Sequence, residues 1–400
     1  MIPRTTAPGA TGGPAARTVQ TGQTARAVQG VPPAPSLADP CAEREPAGER
    51  LHGGGPAAPP ALDVFLSGRV FMDMIFTGLP GLPPPGTEIV TDGLGSAPGG
   101  VANIAVAMSR LGLRVGLAAE FGDDMFGAYL WRTLAEQEGV DLGLSRLVPG
   151  WPTPVTVSMA YDSDRSMVTY SRPVPGPLDG PPGMPPPAAR ACFVDVDQPL
   201  PPWAAAMRER GTLVFGDLGW DQTGAWPAEV LDRLDHVDVF LPNAAEAMAY
   251  TRTATPSDAA EALAERVPVV VVKRGGDGAI AVDSAAGERA EVPALPVEAL
   301  DPTGAGDVFA AGFVFATLAG LPLAERLRFA NLCAGLSVRH HSGSLGSPCW
   351  GEIAVFGESG EVPDAVLADY AFVIPFIPDA ADETAETVVR AEPTLRKEQR

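Results

Sequence analysis

The stretch "VDVFLPNAAEAMAYTRTATPSDAAEALAERVPVVVVK", residues 237–273, decides how the chain is built. Its ends are nearly continuous apolar runs, "VDVFLPN" (237–243) and "VPVVVVK" (267–273), and the segments between them, 244–250 and 256–266, carry helical spacing. A run that is apolar on both faces suits a strand covered by helices on both sides, the setting of a parallel sheet.

The same alternation extends outward. Further apolar runs are "ALDVFLSG" (61–68), "RVGLAAEFG" (114–122), "ACFVDV" (191–196), "TLVFGDLG" (212–219) and "GAIAVD" (278–283), with helical segments at 101–112, 124–138, 201–210, 225–234, 305–319 and 323–341. The pattern predicts an α/β fold over residues 61–373, a doubly wound, mostly parallel sheet with helices on both faces. Two stretches break the rhythm. Residues 86–94, "GTEIVTDGL", and 153–172, "TPVTVSMAYDSDRSMVTYSR", alternate polar and apolar positions like exposed strands, and the second turns at "DSD" into a hairpin. They predict a small β-sheet lid, followed by the proline-rich loop "PVPGPLDGPPGMPPP" (173–187). Lids over the edge of an α/β sheet commonly close on a substrate and exclude water.

Residues 1–60 are rich in Pro, Gly, Ala and Thr with few large apolar groups, and are expected to be disordered. Residues 374–400 read as an acidic, polar tail. A formal charge of −21 argues against nucleic acid, whose phosphates need a basic surface. The four cysteines (Cys41, Cys192, Cys333, Cys349) form no CxxC pair, so reduced thiols and a cytoplasmic protein are expected. No apolar run approaches the ~20 residues that span a bilayer, which leaves no membrane partner to expect.

Chemistry concentrates in "ALDPTGAGDVFAAGF", residues 299–313. The segment from Gly304 reads as the first turn of a helix, and Gly304, Ala305 and Gly306 are small enough to let an anion approach its unpaired N–H groups. Asp307 would sit beside that anion. It is either a base acting on a neutral hydroxyl that attacks the anion, or an acid favoured by the helix dipole. Elsewhere the common signatures are missing. The only lysines are Lys273 and Lys397 and neither completes GxxxxGK[ST]; no GxGxxG opens the first helix, and GxSxG is absent. The four histidines suggest neither a triad nor a metal cluster, and His340-His341 reads as a favourable helix end.

Five segments then converge. "GSAPGGVANIAVAMSRLG" (95–112) resembles the amino-terminal signature of the ribokinase-like, PfkB-type carbohydrate kinases, and "DPTGAGDVFAAGF" (301–313) resembles their carboxy-terminal signature. "PNAAE" (242–246), "VKRGGDGA" (272–279) and "RFANLCAGLSV" (328–338) lie between or after them in the family's order, so the resemblance covers about residues 61–350. It implies that Asp307 is the catalytic base and that the amides of Gly304, Ala305 and Gly306 form the anion hole. Asp73 matches the acid that binds substrate hydroxyls, with Gly99, Gly100 and Asn103 as further substrate contacts. Asn243 and Glu246 resemble an NxxE pair that orders Mg²⁺, and Lys273, Gly275, Gly278 and Asn331 fall where the family contacts ATP. ATP and Mg²⁺ are the implied cofactors, with a monovalent cation as an open third.

Three departures bear on specificity. Phe71 stands where ribokinases proper carry a sugar-holding Asn, Lys273 replaces a commoner threonine, and in "HSGSLGSP" (341–348) the family's glycine is displaced by one residue. The expected activity is ATP-dependent phosphorylation of a hydroxyl on a small carbohydrate. A nucleoside is the nearest rival substrate, with Phe71 placed to stack on a base, and a catalytically silent, sugar-responsive regulator is the rival from another class. An exposed lid sheet often pairs with its own copy, so a homodimer through the lid is the expectation for assembly.

Overall fold

In the chain's computed structural model, residues 61–161, 164–174, 185–219, 221, 223–340, 343–358 and 362–378 are described. The expectations for 1–60, the "DSD" turn at 162–163, most of the proline-rich loop and the tail from 379 lie outside the described residues.

Among the described residues, fourteen strands run in chain order. They are β1 (Leu62–Ser67), β2 (Val70–Thr77), β3 (Gly93–Gly100), β4 (Val115–Ala118), β5 (Glu120–Gly122), β6 (Arg146–Val148) and β7 (Val155–Tyr161). After them come β8 (Asp164–Tyr170), β9 (Ala189–Asp195), β10 (Leu213–Asp217), β11 (Val239–Phe240), β12 (Val269–Lys273), β13 (Ala279–Asp283) and β14 (Glu288–Val292). The main sheet has the order β14-β13-β12-β11-β10-β9-β1-β4. From β12 to β4 every pairing is parallel, and β13 and β14 complete the edge antiparallel.

The doubly apolar strands explain the layering. Val269 and Val271 point into the core shared with the helices Val101–Arg110, Ala305–Leu318 and Leu323–Ser337. Val270 and Val272 point into a second core beneath Pro202–Arg208, Ala244–Thr251 and Pro256–Ala264. Side chains two apart share a face, so an unbroken valine run feeds both cores at once. From β1 the chain moves to β4 on one side and then to β9 on the other. The strand order therefore reverses between β1 and β9, where α/β sheets open a crevice beyond the strands' carboxyl ends.

A four-stranded sheet, β3-β2-β7-β8, lies apart from the main one. Its hairpin arms are β7 and β8, paired from Val155↔Tyr170 to Tyr161↔Asp164. The strand expected at 86–94 is a correction: residues 86–92 form no strand, and β3 starts at Gly93. The glycine-rich "GLGSAPGG" is a poor strand former, but it pairs with β2 along its whole length because small residues fit there. A Cβ on Gly93 would meet Thr77 Oγ1 at 2.2 Å. The run 114–122 also divides, into β4 in the main sheet and β5, which pairs with β6.

Other boundaries shift for local reasons. The segment expected at 225–234 is a 3₁₀ helix, Ala228–His236, and the α-helix Met125–Arg132 continues as a π-helical turn, Thr133–Gln137. The helix expected to reach 341 stops at Ser337, and His340 lies 3.6 Å from Glu352. Cys192 and Cys333 are free and buried, whereas Cys349 is disulfide-bonded, which corrects the expectation of reduced thiols throughout; spacing in sequence does not reveal which sulfurs meet. Among the described residues, no helix is long and apolar enough to cross a membrane.

One buried ion pair ties the helix Val101–Arg110 to the rest. Arg110 binds Glu138 through Nη2 at 2.8 Å and donates through Nη1 to the carbonyls of Leu345 and Ser347, also at 2.8 Å. Each guanidinium hydrogen bond made this way offsets part of the charge's desolvation. The 3₁₀ turn Gly343–Gly346 is thereby held against the helix that carries Asn103.

Candidate active site

The carboxyl ends of the parallel strands collect the polar residues. Asp195 ends β9, Asp217 ends β10, Asn243 follows β11 and Lys273 ends β12, with a β-bridge joining Asn243 to Lys273. The helix Ala305–Leu318 starts at this edge. Its N-cap, Gly304, has φ 76°, a left-handed conformation that glycine adopts without penalty.

Asp307 stands in that helix's first turn and receives a hydrogen bond from Asn103 Nδ2 at 2.8 Å. Burial raises its carboxyl to about 6, against the opposing pull of Lys273 and Asn103. Of the three residues expected to form the anion hole, Ala305 differs: its N–H closes a turn onto Pro302 O at 3.2 Å. The N–H groups of Gly304 and Gly306 have no partner among the described residues.

Asp73 lies on β2, opposite Ala97 and Thr156. Burial, and then the charge of Asp307, push its carboxyl up to about 7, while a hydrogen bond from Thr156 opposes the rise. Gly99 makes room for it, since a Cβ there would lie 2.0 Å from Asp73 Oδ2. Gly100, at φ 66°, lets the chain turn into the helix; a Cβ would strike Arg69 O at 2.4 Å and the Phe71 ring at 2.7 Å. Asn103 thus touches the acid at 307, and its Oδ1 is buried without a hydrogen-bond partner.

Asn243 and Glu246 bind each other. Asn243 Oδ1 accepts from the Glu246 N–H at 2.9 Å and Glu246 Oε2 from the Asn243 N–H at 2.8 Å, a capping box at the start of Ala244–Thr251. Glu246 Oε1 stays outside the box. Burial, then the nearby Asp217, raise the Glu246 carboxyl to about 7.

Lys273 meets Asp217 Oδ2 at 2.5 Å. Burial alone would depress the ammonium, but the Asp217 carboxylate holds it above its ordinary value. Gly275 has open space around it at φ 57°, whereas a Cβ on Gly278, at φ 86°, would lie 2.0 Å from Val292 O. Asn331 donates to Pro293 O at 3.0 Å, which ties its helix to the end of β14.

Two cavities meet at this edge. One, of about 520 Å³, is lined by Asn243, Glu246, Lys273, Gly275, Gly278, Asn331 and the turn Gly304–Asp307, together with Arg165 from β8. The other, of about 560 Å³, is lined by Phe71, Gly100, Phe193, Asp195 and Gln198. Asp217 and Asp307 line both. Asp73, Gly99 and Asn103 line neither of these two cavities; Asp73 reaches the junction through the charge of Asp307 and Asn103 through its hydrogen bond to it. Sequence reasoning missed Asp195 and Asp217. The available signal was an aspartate closing each of two apolar strands, "ACFVD" and "LVFGD".

Residues 73–174 and 202–349 match the profile of the pfkB family carbohydrate kinases. The chain belongs to this family. It is 29% identical to a nucleoside kinase of Methanothermobacter thermautotrophicus over 302 residues, 72% of this chain and 94% of that protein. It is 29% identical to the ribokinase of Bacillus subtilis over 303 residues, 73% and 98% of the respective chains. A ribokinase II candidate from Escherichia coli, solved with ATP and Mg²⁺, superposes with a TM-score of 0.60 at 23% identity, covering 74% of this chain and 99% of that one. The fold is ribokinase-like, and the protein is a kinase of carbohydrates or nucleosides.

Proposed function

We propose that the protein transfers the γ-phosphoryl group of ATP to a hydroxyl of a small carbohydrate, with Asp307 as the base. The observation that carries this reading is the position of Asp307: half-buried, gripped by Asn103 and facing two cavities beside the N-terminal turn of a helix. A carboxylate there can take the acceptor's proton while the Gly304 and Gly306 N–H groups receive charge on the phosphoryl oxygens. Asp73 is the proposed grip on neighbouring acceptor hydroxyls, which decides the one that attacks.

The residues present also fit Mg²⁺. Among the described residues no three His, Cys, Asp or Glu form a metal cage, but Glu246 and Asp217 are buried hard-oxygen donors whose mutual repulsion a cation would relieve. Few protein ligands, completed by water and phosphate, is the usual way of holding this ion. Bound there with ATP, it would neutralise phosphate charge. Glu246 Oε1 and Asn243 would hold it, directly or through water.

A nucleoside is the second reading. Phe71 and Phe193 line the second cavity with Ile104 and Pro199, apolar walls against which a flat base could stack. For assembly, β8 ends the lid sheet with Met167, Val168 and Tyr170 exposed, which supports a homodimer through the lid.

An ATP-consumption screen against ketoses, aldoses, sugar acids, sugar phosphates and nucleosides tests the reading, with Asp307→Asn as control. The variant should bind both ligands while kcat falls by roughly 10²–10⁴, the usual worth of a positioned base. Absence of turnover with every acceptor would favour a silent regulator.

A further inference from the structure

We propose that Lys273 is a catalytic charge carrier, paired with Asp217 at rest and donating to the transferring phosphoryl group once nucleotide is bound. This rests on the phosphoryl-transfer reading above.

Lys273 is the single lysine among the described residues, and its location is costly for a cation. Its side chain is only 13% exposed, and Nζ lies 3.6 Å from the point a Cβ on Gly306 would occupy, over the first turn of Ala305–Leu318. A helix N-terminus is the positive end of the dipole, and the free N–H groups of Gly304 and Gly306 add to it. A buried ammonium there is favourable only beside negative charge. At present Asp217 supplies that charge, through a contact whose acid partner is itself 12% exposed.

The surroundings show what the lysine is set against. Asp217, Glu246 and Asp307 all act on it, three acids around one cation. A phosphoryl group placed between the Gly306 amide and Lys273 would bring the charge that both the dipole and the ammonium lack. Lysine suits an exchange of partners, because its three N–H donors sit on a flexible four-carbon stem. It can keep one hydrogen bond to Asp217 and turn another toward an incoming oxygen.

In the proposed step the acceptor oxygen forms a bond to the γ-phosphorus as the bond from that phosphorus to the bridging oxygen breaks. The electron pair leaves with ADP, and the acceptor's proton passes to the Asp307 carboxylate. Lys273 transfers nothing. It donates a hydrogen bond to the phosphoryl oxygens and keeps Asp307 ionised by its charge.

Calorimetric binding of ADP and of the β,γ-imido analogue of ATP to the full chain, beside steady-state kinetics with the acceptor found in the screen, tests this. Lys273→Met should weaken the imido analogue at least tenfold more than ADP and lower kcat on the order of 10²–10³, the range for loss of one transition-state donor. Measured without Mg²⁺, for which Asp217 is itself a candidate donor, Asp217→Asn should tighten the imido analogue severalfold by removing the lysine's resting competitor. If Lys273→Met leaves Asp217 too poorly compensated to fold, the double variant Lys273→Met, Asp217→Leu removes both charges and should show the same preferential loss of the imido analogue. Equal losses for ADP and the analogue, with kcat within threefold of wild type, would overturn the proposal and leave Lys273 as a structural partner of Asp217. A wild type that phosphorylates nothing would instead sink the kinase reading, while the two binding constants would still report on Lys273.

Discussion

Asn103 and Asp307, 204 residues apart in the chain, are joined by a hydrogen bond of 2.8 Å from Nδ2 to Oδ2. The bond holds one carboxylate oxygen in place, and it joins the two sequence signatures physically. Loss of that donor should leave the acid present but free to turn. Asn103→Ala is therefore expected to lower kcat about 10–100-fold, the scale of a lost orientation, with the KM for ATP unchanged. Kinetics in which only the acceptor KM moves would make Asn103 a substrate contact instead.

The raised acids set a pH dependence. Asp307 titrates near 6 and Asp73 near 7, each raised mainly by burial, so the acid limb of kcat/KM should fall between about pH 6 and 7 and belong to the pair. Asp73→Asn removes a like charge and should move the limb to lower pH. A limb that stays in place would show that the two carboxyls do not interact.

Stability should run the other way. With folded values near 6–7 and an ordinary value of 3.8, these two acids bind protons in the folded state that the unfolded chain does not hold between about pH 4 and 7. Their contribution to stability is fully present below about pH 4 and is lost progressively as pH rises from there through 6–7. Melting of wild type and of Asp73→Asn at pH 5 and pH 8 checks the sign. The variant should gain more at pH 8 than at pH 5, and a larger gain at pH 5 would contradict it.

Gly99→Ala would place a methyl group 2.0 Å from Asp73 Oδ2, so the carboxylate must move. The acceptor KM should rise roughly tenfold or more while circular dichroism stays native, since a displaced grip weakens ground-state binding. An unchanged KM would remove Asp73 from the acceptor site.

Asn243→Ala opens the capping box and should cost about 1 kcal/mol, as helix caps do. Glu246→Ala loses that reciprocal bond too, and both variants should need more Mg²⁺ for half-maximal rate. Magnesium titrations identical to wild type, with only the melting point lowered, would reduce the pair to a helix cap.

Much of this protein can be read from local pattern. The valine run at 269–272 serves two cores because both faces of a parallel strand are covered, and the alternation of such runs with helical segments identifies the doubly wound sheet. The glycines before Asp307 were readable for the same reason, since turns and helix starts depend on a few neighbouring residues. Asn243 and Glu246 were singled out only by resemblance, as a magnesium pair, and that they cap a helix by binding each other is seen only in the structure. β3 was not readable: "GLGSAPGG" has the composition of a turn and becomes a strand by pairing with β2, whose Thr77 and Asp73 leave no room for side chains at Gly93 and Gly99. Nor does local sequence show that Asn103 grips Asp307, that Ala305 is taken by Pro302, or that Asp217 pairs with Lys273. Pattern records what a residue asks of its neighbours along the chain, whereas charge pairing, burial and the raised carboxyls depend on which distant strand ends the sheet order brings to one edge.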